Sequence, residues 1–405
     1  MKTVSVVIPN YNNEGYVARA IESVLSQTFT DYEIIVVDDG STDNSKRVIN
    51  TFGNKVQYIF QENRGLGGAR NTGILASNSE FIGLLDADDE WQPTFLEKMI
   101  SLARRQPNSV VYYSAAQAMD SAGNDLPQIF GRMVSSDTLY GSLLRANFII
   151  PSTVVFRRSV ILETGLFEEK NRELHGCEDW DLWLRLAPSF QFSSTDEVLV
   201  RYRLHTNTFS ANPAHMQDAV KSVIEKNFGV NDGKVADWSA EKRRAFGGVY
   251  RYRVLTSVQK QGNWDAATES LGMALEIDPT LAKDIDFFYE LAYGSQVPGF
   301  RETIRSLNLQ QNSKLITEML IGVFDKYPNL SSLRRKTFGI AYYAIGLVAY
   351  NTKNSKLSKQ FILKAFAFSP DFLLNRKAVS TMIRALMNPL LGNRFRRIVK
   401  GNYAG

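Results

Sequence analysis

The sequence predicts an α/β domain on a doubly wound, mostly parallel sheet, followed by an all-α domain of helical hairpins. Three observations predict it. Short apolar runs alternate with stretches of helical spacing over the first ninety or so of the 405 residues, the pattern of βαβ units. Strand-like runs vanish after about residue 215. Residues 250–279 and 341–370 then align without gaps at an offset of 91, Ala274 with Ala365, Ile277 with Phe368 and Pro279 with Pro370. A repeat of helix, polar turn, helix and proline is the signature of stacked hairpins.

In order, residues 3–8 contain V-S-V-V-I, a first strand ended by Pro9-Asn10-Tyr11-Asn12-Asn13. Residues 15–27 have helical spacing, with Val17, Ala20, Ile21, Val24 and Leu25 on one face. Residues 32–37 form a second apolar strand. D-D-G-S-T-D-N-S follows, where Ser41, Thr42 or Asp43 can cap a helix over 44–52. A third strand, 55–61, leads into N-R-G-L-G-G-A-R-N-T-G, which opens a helix reaching Ser77. Residues 81–85, F-I-G-L-L, read as a strand buried on both faces. It stops abruptly at Asp86, Asp88, Asp89 and Glu90.

Farther on, V-V-Y-Y-S-A-A and S-T-V-V-F-R-R are strand candidates, and 118–140 is rich in loop residues. H-G-C-E-D-W-D-L-W-L-R-L-A places Glu178 and Asp179 in the first turn of a helix, where the helix dipole favours carboxylates. Residues 198–204 are a strand running into His205-Thr206-Asn207-Thr208-Phe209-Ser210. The expected organisation is an α/β domain over 1–215, a helical domain over 216–374 and a tail over 375–405. The hairpins resemble tetratricopeptide repeats, although W-x₂-L-G-x₂-Y is not intact. Residues 375–400 hold seven basic residues and no acidic one, interleaved with Met382, Ile383, Leu386, Met387, Leu390, Leu391 and Phe395. Such a segment serves either peripheral contact with an anionic membrane or as a solvated helix completing the stack.

Composition narrows the classes. Hydrophobic residues are 44% and charged residues 22%, the values of a soluble globular protein. The single cysteine, Cys177, excludes a disulfide framework and a cysteine zinc site. The first ten residues do not read as a signal peptide. The longest apolar run, 338–350, is too short to span a membrane. A cytoplasmic location is expected, peripheral at the membrane if the tail binds there. Residues 301–405 carry 18 Lys/Arg against 4 Asp/Glu, so an acidic front half precedes a basic back half.

Ligands of open α/β sheets sit outside the carboxyl ends of the strands, which is where Pro9–Asn13, 38–43 and 86–90 fall. Asp86 and Asp88 supply hard oxygen ligands suited to Mg²⁺ or Mn²⁺ sharing its shell with substrate phosphates. Helix capping competes with that reading and falls best on Asp89 and Glu90, ahead of a helix starting near Pro93. The loop 65–73 is neither a P-loop nor a dinucleotide fingerprint. Its glycines could admit an anion to backbone N–H groups, with Arg70 adding a charged fork. Glu178 and Asp179 read as helix caps or as a general base, and His205 as a metal or phosphate contact.

Taken in order, V-S-V-V-I-P-N-Y-N, V-V-D-D-G-S-T-D-N-S, N-R-G-L-G-G-A-R-N-T-G, L-L-D-A-D-D, E-D-W-D-L-W-L-R and Y-R-L-H-T-N-T-F-S form a specific set. By them, residues 1–210 resemble the inverting family 2 glycosyltransferases with a GT-A, Rossmann-like fold. The resemblance implies that Pro9, Tyr11 and Asp39 hold the nucleoside with Arg70 nearby, and that Glu14 contacts the donor. It implies that Asp86-Ala87-Asp88 is the D-x-D motif, with Asp88 the main metal ligand and Asp86 at the ribose or metal. Asp179 becomes the catalytic base with Glu178 as the alternative. His205 completes the metal or diphosphate site, and Ser210 assists. The implied reaction is metal-dependent transfer, with Mn²⁺ or Mg²⁺, from a nucleotide-diphosphate sugar, a UDP-sugar foremost. The acceptor would be a glycan, lipid or protein, in cell-surface glycan or glycoconjugate synthesis, with no nucleic-acid partner. A nucleotidyltransferase would carry a glycine-rich basic loop after the first strand, where P-N-Y-N-N-E-G stands. A helical scaffold with a degenerate transferase domain is opposed by the intact D-A-D and E-D pairs. Residues 118–171 are the expected acceptor region.

Overall fold

A computed structural model describes residues 2–131, 134–205, 212–294 and 307–370. Ser210 and the tail 375–405 lie outside the described residues. The chain divides into two compact units, Met1–Val249 and Tyr250–Gly405.

The first unit begins with β1 (Val4–Asn10), α1 (Val17–Leu25), β2 (Tyr32–Asp38), α2 (Ser45–Asn50), β3 (Gln57–Phe60), α3 (Gly65–Ala76) and β4 (Phe81–Leu84). All seven residues of β1 are buried, because helices cover both faces of a parallel strand and its β-branched side chains fill them. Asn10 of β1 lies in register with Asp38 of β2, and β4 runs parallel on the other side of β1. The carboxyl ends of these three strands therefore open on one edge. α3 packs close to β1: a Cβ on Gly73 would meet Val7 at 2.3 Å.

After β4 come β5 (Glu90–Trp91), α4 (Phe95–Arg105), β6 (Ser109–Met119), β7 (Asp125–Phe130), α5 (Ser136–Leu143), β8 (Val154–Arg157), α6 (Arg158–Thr164), α7 (Glu178–Leu186), β9 (Gln191–Arg203) and α8 (Pro213–Phe228). The sheet order is β3-β2-β1-β4-β8-β6-β9-β5, with β7 attached to β6. The pairs β1–β2, β1–β4, β2–β3 and β6–β9 are parallel, whereas β4–β8, β6–β8, β6–β7 and β5–β9 are antiparallel. The sheet is thus mixed rather than mostly parallel. Apolar periodicity marks a run as a strand but carries no information on its direction.

The compact unit continues beyond the expected boundary at residue 215. α8 supplies Lys226 and Asn227, each 2.9 Å from the buried Asp181 carboxylate of α7. Such an acid needs partners close by, and they come from beyond the point where the strands stop.

The helices continue with α9 (Ala240–Gln261), α10 (Trp264–Ile277), α11 (Ile285–Ala292), α12 (Leu309–Lys326), α13 (Arg334–Asn351) and α14 (Ser355–Phe368). The 91-residue offset holds at atomic detail. α10 and α14 have the same length with bounds shifted by the offset. Their N-caps are Asn263 and Asn354, each accepting from a backbone N–H three residues on. The turn before each has a residue in the left-handed region, Gly262 at φ 62° and Lys353 at φ 60°. α13 is buried over most of its circumference, which explains the apolar run 338–350. Among the described residues no helix is long and apolar enough to cross a membrane.

Candidate functional site

Arg70, in α3, is a buried charge at the strand-end edge, with 1% of its surface exposed. Its Nη1 donates to Glu178 Oε1 at 2.7 Å and its Nη2 to Asp86 Oδ1 at 2.8 Å. Burial works against its charge, but Asp86, Glu178 and Asp179 outweigh it and hold its proton affinity up. Arg70 therefore brackets the acid after β4 and the acid opening α7, 108 residues away in sequence. One hydrogen of each terminal nitrogen is bonded to an acid, so Arg70 holds Asp86 and Glu178 in place, while its buried Nε has no partner among the described residues.

The glycines before Arg70 are packed by the protein itself. A Cβ on Gly65, whose φ is +79°, would lie 3.0 Å from the His175 ring. One on Gly67 would lie 2.5 Å from the Glu168 carbonyl oxygen, and one on Gly68 would lie 2.6 Å from Arg64. Close packing accounts for this glycine run.

The carboxylate cluster after β4 has divided tasks. Asp88 Oδ2 lies 2.9 Å from His205 Nε2, which joins the turn after β4 to the end of β9. The His205 ring also packs on Tyr16, centroids 5.4 Å apart. Asp86 is held by Arg70, and burial, ahead of the opposing pull of Arg70, raises its proton affinity. Asp89 is buried, accepting from Ser152 Oγ at 2.5 Å and from the Arg203 amide at 2.8 Å. Burial, and then Asp88 and Asp86, push it well above the usual carboxylate range. Glu90 takes Arg201 at 2.6 Å and Arg203 at 2.7 Å. The expectation that Asp89 and Glu90 cap the next helix is corrected. α4 has Thr94 at its N-cap with no side-chain bond there, and the two acids tie the turn to β9 instead.

At the start of α7 the two acids differ. Glu178 is 3% exposed, and its oxygens accept from Arg70 and from the Gly176 amide at 2.8 Å. Asp179 is 7% exposed and accepts from Asn147 Nδ2 at 2.9 Å and from the Trp180 amide at 2.7 Å. Burial and the neighbouring Glu178 charge push Asp179 up to about 7, despite Arg70 and Asn147. A carboxylate near 7 is matched to proton abstraction at neutral pH.

The remaining expected residues lie around the ends of β1 and β2. Pro9 is buried within β1. Tyr11 is half exposed, so its ring is open to a ligand. Asp39 is buried and accepts from Gln61 at 2.6 Å and the Arg64 amide at 2.9 Å, tying β2 to the loop before α3. Glu14 accepts from the Asn44 amide at 2.7 Å. Motif reading passes over Asn10, Asn147, Ser152 and Arg203. Asn10 Nδ2 donates to Ser41, while its buried Oδ1 has no partner among the described residues. Arg203 stands two residues before His205 in Y-R-L-H and could have been found there. Asn147 sits in a loop with no local signal.

Among the described residues no three His, Cys, Asp or Glu side chains converge as a metal site. The touching Asp88–His205 pair nevertheless fits a divalent cation that fills the rest of its shell with phosphate oxygens and water. Asp86, expected at the ribose or metal, has one carboxylate oxygen on Arg70.

An α/β sheet with acids and a histidine gathered at its strand-end edge defines a GT-A-type transferase domain, followed here by helices. The model of the family described as Glycosyl transferase family 2 matches residues 5–165. An uncharacterized glycosyltransferase of Rickettsia prowazekii is 31% identical over 236 residues, 55% of this chain and 72% of that relative. Chondroitin synthase of Escherichia coli is 27% identical over 260 residues, 64% of this chain and 35% of the synthase. The structure of S. aureus TarS 1-349 in complex with UDP-GlcNAc aligns over 83% of this chain and 90% of the other, at 16% identity and a TM-score of 0.48. The chain belongs to glycosyl transferase family 2 and is a transferase enzyme.

Proposed function

We propose that the protein is a metal-dependent, inverting glycosyltransferase moving a sugar from a nucleotide-diphosphate donor, a UDP-sugar foremost, to an acceptor hydroxyl of a glycan, lipid or protein. The observation that supports this most is the division of acids at one edge. Asp88 meets His205 at 2.9 Å, while Asp179, separately buried, is poised near 7. Asp88 and His205 would hold Mn²⁺ or Mg²⁺, which when bound neutralises charge developing on the departing diphosphate. Tyr11 stacks on the nucleobase, and Arg70 keeps Asp86 and Glu178 in place. Asp179 accepts the proton of the acceptor hydroxyl as its oxygen bonds to the anomeric carbon. The bond to the diphosphate breaks on the opposite face, which inverts that centre.

We further propose that the transferase domain extends to about residue 249. The tetratricopeptide-like hairpins and the basic tail then serve acceptor, partner or membrane contact in cell-surface glycan synthesis at the cytoplasmic face. The charge asymmetry of residues 301–405 supports an anionic partner.

The test is a screen of sugar nucleotides with purified protein and Mn²⁺ or Mg²⁺, reading nucleoside diphosphate release. One donor class should be turned over only with the cation. Asp88→Ala and His205→Ala should each lose most of the cation-supported turnover. Turnover by Asp88→Ala that keeps full cation response would reject the metal assignment.

A further inference from the structure

Asp179 is buried, and the carboxamide of Asn147 meets its carboxylate at 2.9 Å. Asn147 is exposed and sits between α5 and β8, outside the family motifs. Its carboxamide has a fixed orientation. Oδ1 accepts from the Ile149 amide at 3.2 Å, so Nδ2 faces Asp179 and donates to Oδ2 at 2.9 Å. The other carboxylate oxygen is held by the Trp180 amide. The charged and titratable groups around Asp179 are Glu178 and Cys177 beside it, Arg70 from α3 with Asp86 beyond it, and Tyr202 from β9. The hydrogen bonds of Arg70 run to Glu178 and Asp86, and its charge reaches Asp179 through space rather than by a hydrogen bond among the described residues. Asn147 is thus the side chain that holds Asp179 directly by a hydrogen bond among the described residues.

We propose that Asn147 is the positioning residue of the general base: its locked carboxamide fixes the Asp179 carboxylate towards the acceptor side and stabilises its ionised form. This rests on the reading of Asp179 as the base. A hydrogen bond to a carboxylate favours the charged state, and opposes the burial that favours the neutral one. The loop carrying Asn147 belongs to the region expected to meet the acceptor, so the base becomes competent only while that loop is seated. Because Asn147 is exposed, removing its amide leaves no cavity in the core.

The experiment measures kcat/KM against pH from 5.5 to about 9 for the full chain, with its preferred sugar nucleotide and cation. The variants are Asn147→Ala, Asn147→Asp and Asp179→Asn. In Asn147→Ala the rising limb should move up by about half to one pH unit, with rates recovering towards the wild-type plateau at high pH. Asn147→Asp should move it farther, because two carboxylates at hydrogen-bond distance resist joint ionisation. Asp179→Asn should have no rising limb and little transfer. If Asp179→Asn transfers normally, the reading of the base fails. If Asp179→Asn is inactive but both Asn147 variants keep the wild-type limb, or lose rate equally at every pH, the proposal for Asn147 is overturned.

Discussion

Glu178 and Asp179 are neighbours in one helical turn and differ in everything that matters for proton transfer. Both oxygens of Glu178 are occupied by Arg70 and a backbone amide, whereas Asp179 has no cation in an ion pair among the described residues and is pushed up to about 7. The raised value has a consequence for stability. Below the unfolded value, near 4, both states hold the proton; between there and 7 only the folded state does. Stability is therefore lost as pH rises through that window, and the loss is complete above it. Asp179→Asn removes this cost. The melting temperature of the variant relative to the parent should climb from pH 4.5 to 7.5 and then level off; a constant difference would contradict the raised value. Arg70 makes the complementary prediction. Arg70→Ala leaves Asp86 and Glu178 without their shared counter-ion and should destabilise the protein by about 3–5 kcal/mol in a denaturant titration. Arg70→Lys should recover only part, since one ammonium cannot reproduce a fork spanning two acids.

At the scale of elements, most of the architecture was legible from periodicity. The runs around β1, β2 and β4 are short, apolar and bounded by turn residues, and they form strands because each is buried on both faces. The helical repeat was legible too, since Asn263 and Asn354 cap equivalent helices. The turn before the second helix exposes a fault in one copy. Gly262 fills the left-handed position in the first hairpin, and Lys353 fills it in the second. A side chain with a Cβ is strained there by about 1 kcal/mol. Lys353→Gly should therefore stabilise the helical unit by about that amount and raise its denaturation midpoint, and Gly262→Ala should lower it comparably. Equal midpoints for all three proteins would refute this account of the turn. What periodicity could not give was strand direction: the run of β8 reads as a strand, but its antiparallel place between β4 and β6 was not legible.

At the scale of the whole molecule, the limits of the first unit follow from where a buried charge finds its partners. Asp181, with none of its surface exposed, is satisfied by Arg185 of its own helix and by Lys226 and Asn227 of α8. A chain cut after residue 215 strips two of those three away, while one cut after 249 retains them. The shorter fragment should be the less soluble and should be digested rapidly by trypsin under conditions that leave the longer one intact. Equal protease resistance would mean that α8 is dispensable to the unit.

The sequence by itself determined which runs become strands and helices, that acids and a histidine stand at strand ends, and that a helical motif recurs. These are consequences of local spacing and backbone preference, which act over a few residues. The tertiary structure decided what each polar group does. Arg70 became a bracket between Asp86 and Glu178, Asp89 and Glu90 turned to β9, and an unmarked loop asparagine came to rest on Asp179. Those partners lie 16 to 114 residues apart. Only packing can bring them together, because a buried charge accepts whichever neighbour the fold sets beside it.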